Sequence, residues 1–168
     1  PALPELRVAV DVTAAPERAW AGIAHWESQG TWMIATRVTG SGSAVGETIA
    51  GWTGIGRIGF LDTMTITEWE PPRRCAVRHT GRVVRGTGGF EVTPHGAGGG
   101  CRVTWWERVE LPFGIAGRAG WLVAEPLTRA FFAYSLRRFK RILEAAEGSA
   151  RRERGLRDPN EQPEADHR

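Results

Sequence analysis

Between Leu6 and Val12 the chain alternates, with Leu6, Val8, Val10 and Val12 set against Arg7, Ala9 and Asp11. A period of two is that of a strand with one buried face. Pro16-Glu17-Arg18 then marks a helix start, because proline is tolerated in the first turn and an acidic neighbour suits it. Ala19, Trp20, Ile23 and Ala24 face the core from that helix, and a second short helical turn runs from His25 to Gly30. Six further strand-like runs follow, at Met33–Thr39, Glu47–Trp52, Arg57–Glu70, Cys75–Thr80, Val83–Thr93 and Arg102–Leu111, separated by glycine- or proline-rich turns. Their close spacing predicts antiparallel meanders rather than parallel strands joined by crossover helices.

After Pro112 the period changes. Gly114, Gly117 and Gly120 loosen an apolar approach, and a helix is expected from about Pro126 to Glu147. At 100° per residue Phe131, Phe132, Ser135, Phe139, Ile142, Leu143 and Ala146 share one face. Gly148 is expected to end it. Residues 1–147 then form one domain, and 148–168 a charged tail with too little apolar surface to stay ordered.

Composition adds three things. Eight tryptophans against one tyrosine suit a broad apolar pocket or a sheet packed on a helix. The net charge of +3 is diluted by a tail of mixed sign, and the one dense basic group, Arg129, Arg137, Arg138, Lys140 and Arg141, reads as a solvated helix face, so nucleic acid is not an expected partner. Cys75 and Cys101 have no metal-ligand spacing with any histidine, so neither metal nor cofactor is expected. No stretch is a signal peptide or a membrane span, and a cytoplasmic location is the expectation.

The order of strand, helix pair, six-stranded meander and long last helix resembles the polyketide cyclase/dehydrase and lipid-transport superfamily, with its START and birch-pollen-allergen relatives. The segments that carry the likeness are VTAAPERAW (12–20), TEWEPPRRCAVRH (67–79), GGGCRVTWWERVEL (98–111) and FFAYSLRRFKRILEAAE (131–147). The resemblance implies an α+β helix-grip fold, a curved antiparallel sheet of about seven strands around the last helix, with a cavity between them for a small hydrophobic molecule. It includes carriers, sensors and enzymes, so fold alone selects none of them.

Several residues stand out. Gly54-Ile55-Gly56-Arg57-Ile58-Gly59 matches a dinucleotide-binding string, but β-rich sequence follows where that motif needs a helix, and a hairpin loop near the cavity mouth is the reading. Thr128 and Ser135 are hydroxyls in an apolar stripe; they either bond back to helix carbonyls or orient a ligand. Trp105 and Trp106 point to opposite faces of the last strand. The apolar company of Trp105 sends it inward with Glu107, which would then need an arginine partner or a proton. His79, Asp62 and Glu107 are the acid/base candidates, with no spacing that specifies a reaction.

The expected ligand site is thus Trp52, Trp105, Glu107, Trp121, Thr128, Phe131, Phe132, Ser135 and Phe139, with no catalytic residue assigned. The expected function is binding of a lipid-like or polyketide-like molecule as carrier or sensor. A cyclase or aromatase acting by positioning and acid/base help is the alternative. A third is an interaction module making transient membrane or protein contact through Leu111–Val123.

Overall fold

The computed structural model describes residues 3–111 and 114–156. Strand β1 (Glu5–Val12) leads into helix α1 (Pro16–Ala24) and a 3-10 turn (Trp26–Thr31). Strands β2 (Thr36–Thr39), β3 (Thr48–Ile55), β4 (Ile58–Glu70), β5 (Arg74–His79), β6 (Gly86–Pro94) and β7 (Cys101–Val109) follow, and helix α2 (Gly114–Leu156) closes the chain. The seven strands form one antiparallel sheet in the order β1-β7-β6-β5-β4-β3-β2. Every neighbour except the β1–β7 pair is consecutive in sequence, as short turns between strands dictate. The sheet curls around α2, which is the helix-grip fold.

Helix α2 packs through Phe132, Leu136, Phe139 and Leu143, all buried at spacings of three and four, with Ser135 buried beside them. Each large side chain so buried contributes about 1.5–3 kcal/mol. Trp32, at the end of the 3-10 turn, fills the space between helix and sheet, its ring centroid 5.2 Å from Phe139 and 6.0 Å from Phe90. Polar contacts fix the helix against the first elements of the chain. Lys140 Nζ donates to the Asp11 carbonyl at 2.8 Å, Glu144 accepts from the Thr13 amide at 3.0 Å, and Arg18 Nε donates to Glu147 at 2.8 Å.

Several boundaries differ from the sequence reading: β3 runs three residues further, to Ile55, β6 starts three residues later, at Gly86, and α2 and β2 change as follows. Helix α2 begins at Gly114, twelve residues before Pro126, so the approach segment is helical despite its glycines. It also continues through Gly148 to Leu156, because a single interior glycine costs only about 1 kcal/mol relative to alanine and good helix formers follow it. The tail expected from 148 is therefore helical to Leu156, and the rest of it lies outside the described residues. Strand β2 starts at Thr36 instead of Met33: the amides of Trp32 and Met33 bond to the Gln29 carbonyl, prolonging the turn, and Ala35 has a left-handed φ of 49°. On the helix face, Ile142 and Ala146 point to solvent, whereas Leu136, outside the expected stripe, is buried.

The glycine string at 54–59 is a tight hairpin. Gly54 pairs with Gly59 and Ile55 with Ile58, and Gly56 turns with a φ of 62°. The Trp52 ring lies across both paired glycines: a Cβ on Gly54 would come within 2.8 Å of it, and one on Gly59 within 2.6 Å. The string thus makes room for an indole on the outside of the sheet, and no helix follows it to face a phosphate.

Candidate ligand cavity

Between the concave side of the sheet and the N-terminal half of α2 lies a cavity of about 490 Å³. That is within the range of about 300–1,000 Å³ usual for small-molecule sites. Its wall is largely aromatic and aliphatic. Trp26, Phe60, Phe90, Trp105, Phe131 and Phe132 contribute rings, and Met33, Val38, Ile49, Met64 and Val77 contribute aliphatic surface. Trp105 stacks on Phe132 with ring centroids 3.7 Å apart and planes 8° from parallel. That stack joins β7 to α2 and forms part of the wall.

Of the nine expected site residues, Trp105, Glu107, Trp121, Thr128, Phe131 and Phe132 line this cavity. Three do not. Trp52 lies on the opposite face of β3, beside a shallow outer depression with Arg37 and Leu61, because strand alternation gives the inner face to Gly51 and Thr53. Ser135 is fully buried one helical turn past the cavity, where its hydroxyl oxygen accepts a long 3.4 Å hydrogen bond from the Ile34 amide. Phe139 packs in the core against Trp32, a further turn away. Thr128 lines the wall, but its hydroxyl donates to the Ala124 carbonyl one turn earlier at 2.9 Å.

One end of the cavity is polar. Asp62 on β4, His79 on β5 and Glu107 on β7 converge there: His79 Nδ1 lies 2.7 Å from Asp62 Oδ2, and His79 Nε2 lies 2.9 Å from Glu107 Oε2. Trp105 Nε1 donates to the other Glu107 oxygen at 3.1 Å. The histidine side chain is only 6% exposed and the two carboxylates 12% and 14%. Glu107 reaches His79 across the intervening strand β6 because the residue opposite it is Gly88, where a Cβ would sit 2.1 Å from Glu107 Oε2. The partner that a buried Glu107 requires is thus a histidine and not an arginine.

Burial works against a charge on His79, but the hydrogen bonds to Asp62 and then Glu107 outweigh it and push the ring pKa up to about 10. Near neutral pH both ring nitrogens therefore carry protons and both point at carboxylates. The ring has no lone pair free to act as a base. What this end offers is carboxylate oxygen: Asp62 Oδ1 is buried and accepts no hydrogen bond. Sequence reasoning singles out each of the three groups separately and misses Gln29, which is buried in the wall and donates to the Ile23 carbonyl at 2.8 Å. Among the described residues no group of histidine, cysteine, aspartate or glutamate could hold a metal ion, and no helix is long and apolar enough to cross a membrane.

Solved structures share this architecture. TTHA0849 from Thermus thermophilus superposes with a TM-score of 0.68 at 17% identity, over 85% of this chain and 99% of that one. Protein Ms6760 from Mycobacterium smegmatis gives 0.65 at 15% identity, over 84% and 92% of the two chains. The Polyketide_cyc-like protein Cgl2372 from Corynebacterium glutamicum gives 0.60 at 15%, over the same shares. At these identities the likeness shows the fold. No curated protein sequence is significantly similar to the chain. The sequence profile described as polyketide cyclase/dehydrase and lipid transport, by contrast, matches residues 4–144, from β1 into the last part of α2, and the chain belongs to that family.

Proposed function

We propose that the protein binds one small hydrophobic molecule, lipid-like or polyketide-like, in the cavity between sheet and α2 and acts as its carrier or sensor. The observation that carries this reading is the cavity itself, about 490 Å³ walled by aromatic and aliphatic side chains. The test fills the space from the residue that pairs with Asp62 across the sheet. A side chain at Gly51 on β3 projects inward, since its Cβ would stand 3.6 Å from the Met64 methyl group, an ordinary contact. Gly51→Leu should fold, keep its melting temperature within a few degrees and lose the small molecule that native mass spectrometry finds on freshly purified wild type. A variant that folds and retains that molecule at wild-type occupancy would place the ligand elsewhere.

The Asp62–His79–Glu107 group supports a second reading, an enzyme of the cyclase/dehydrase kind. A ligand in the cavity would lie against two carboxylates that hold a proton-bearing imidazole, an arrangement able to accept a proton from the ligand into a hydrogen-bonded network. Turnover of a polyketide-like substrate that stops in Asp62→Asn and Glu107→Gln, with binding kept, would establish it.

A further inference from the structure

Most hydrogen-bond donors of the cavity wall are committed within the protein, the exceptions being the Trp121 indole and one of the two Nε2 hydrogens of Gln29. Trp26 Nε1 donates to the Gly42 carbonyl at 2.6 Å and Trp105 Nε1 to Glu107. Thr36 donates to the Ile34 carbonyl at 2.9 Å, so the 3.1 Å contact between the Thr36 and Thr53 hydroxyls uses the proton of Thr53. Thr128 donates to its own helix. At the polar end, one proton lies in each of the two bonds of His79, whichever partner it is drawn on, and both are spent inside the group. Two carboxylates and one imidazolium leave that end one negative charge in excess. The acceptors are not filled: each carboxylate has about four lone-pair positions, Asp62 uses one of them for His79, and its Oδ1 uses none.

An apolar cavity whose polar end accepts but does not donate selects its ligand by head group. We propose that the ligand carries a hydrogen-bond donor without negative charge, a hydroxyl or a protonated amine, directed at the Asp62 end, and that carboxylate-headed molecules such as free fatty acids are excluded. The inference rests on the cavity being the binding site. A carboxylate placed there would meet like charge, find the donors of His79 and Trp105 already spent and lose its water, three unfavourable terms.

The experiment holds the apolar body constant and changes the head. Calorimetric titration at pH 7.5 with 2-naphthol, 2-(aminomethyl)naphthalene, 2-naphthoate and 2-methylnaphthalene compares donor, cationic donor, anion and no head. Naphthol and the amine should bind at least about tenfold more tightly than naphthoate, a difference of about 1.4 kcal/mol. In Asp62→Asn, which removes charge and adds an amide donor, that gap should shrink to about threefold or less, with naphthoate gaining. Glu107→Gln should narrow it in the same direction, and it carries the test if the Asp62 variant does not fold. Naphthoate binding wild type as tightly as naphthol, with both blocked by Gly51→Leu, would overturn the donor rule and leave the cavity reading standing. Head-group preference unchanged in both carboxylate variants would overturn it as well. Binding of all four compounds unaffected by Gly51→Leu would instead remove the cavity reading on which the rule rests.

Discussion

Two glutamates on adjacent central strands are held in opposite ways. Glu91 of β6 lies on the outer face, where Arg7 and Arg74 both bond its carboxylate; the arginine side chains are 44% and 30% exposed, and Arg74 also lies 5.0 Å above the Trp106 ring. Glu107 of β7 lies on the inner face, and its ionic partner is a histidine that is 6% exposed. The outer set uses permanent charges near water, where attraction is weak and salt screens it. The inner set depends on a removable proton and is shielded from water, so it is strong while protonated and costly once broken. The same sheet thus carries a fixed clasp outside and a titratable one inside.

The largest expected break is His79→Ala. It leaves two buried carboxylates facing each other with no shared proton donor and should cost about 3–5 kcal/mol in urea denaturation at pH 7. A loss below about 1 kcal/mol would show that the buried ionic group contributes little to the fold.

Next comes the pH course of the wild type. The folded pKa of His79, about 10, lies above its ordinary value of about 6.5. Its contribution is therefore complete below about pH 6.5, declines as folding must take up a proton, and is gone once the pH passes about 10. The denaturation midpoint should fall across that window in wild type and stay flatter in His79→Gln. Parallel curves would contradict the assignment.

The smallest effect belongs to the outer face. Arg74→Gln should cost about 1 kcal/mol or less at low salt, and less in 0.5 M NaCl. A cost comparable to that of His79→Ala would erase the contrast between the faces.

Much of the fold was legible because its signals are local. Leu6–Val12 alternates, Pro16 opens α1, and the Phe132, Phe139 and Leu143 stripe has a helical period, so element types and order followed from the chain alone. The ends of α2 were not legible: Gly114, Gly117, Gly120 and Pro126 are breakers by propensity, and tertiary packing of Trp121 and Phe131 against the cavity wall overrides them. The site was half legible. The direction of Trp105 and the burial of Glu107 followed from strand alternation, and the same alternation, applied to Gly51-Trp52-Thr53, would have sent Trp52 outward. The meeting of Asp62, His79 and Glu107 could not be read, since it depends on the register of β4 through β7 and on Gly88 vacating the space between two strands. Ser135 and Phe139 share the right helical face but lie too far along the axis, a distance that periodicity does not measure.

Helix α2 is 43 residues long and would extend roughly 65 Å if straight, at 1.5 Å per residue. Its middle is clamped by Phe139, Leu143 and the bond from Lys140 to Asp11, whereas the stretch before Pro126 bears Trp121 on the cavity and leaves Leu122 and Val123 in solvent. Proline has no amide hydrogen, so the Leu122 carbonyl lacks its usual helical donor and the ladder is one rung short at that point. Mechanically, α2 is a beam held along its middle, with the weakest section of its N-terminal arm near the edge of the support. A load on the free arm bends it there first, lifting Trp121 from the cavity while the core behind stays packed.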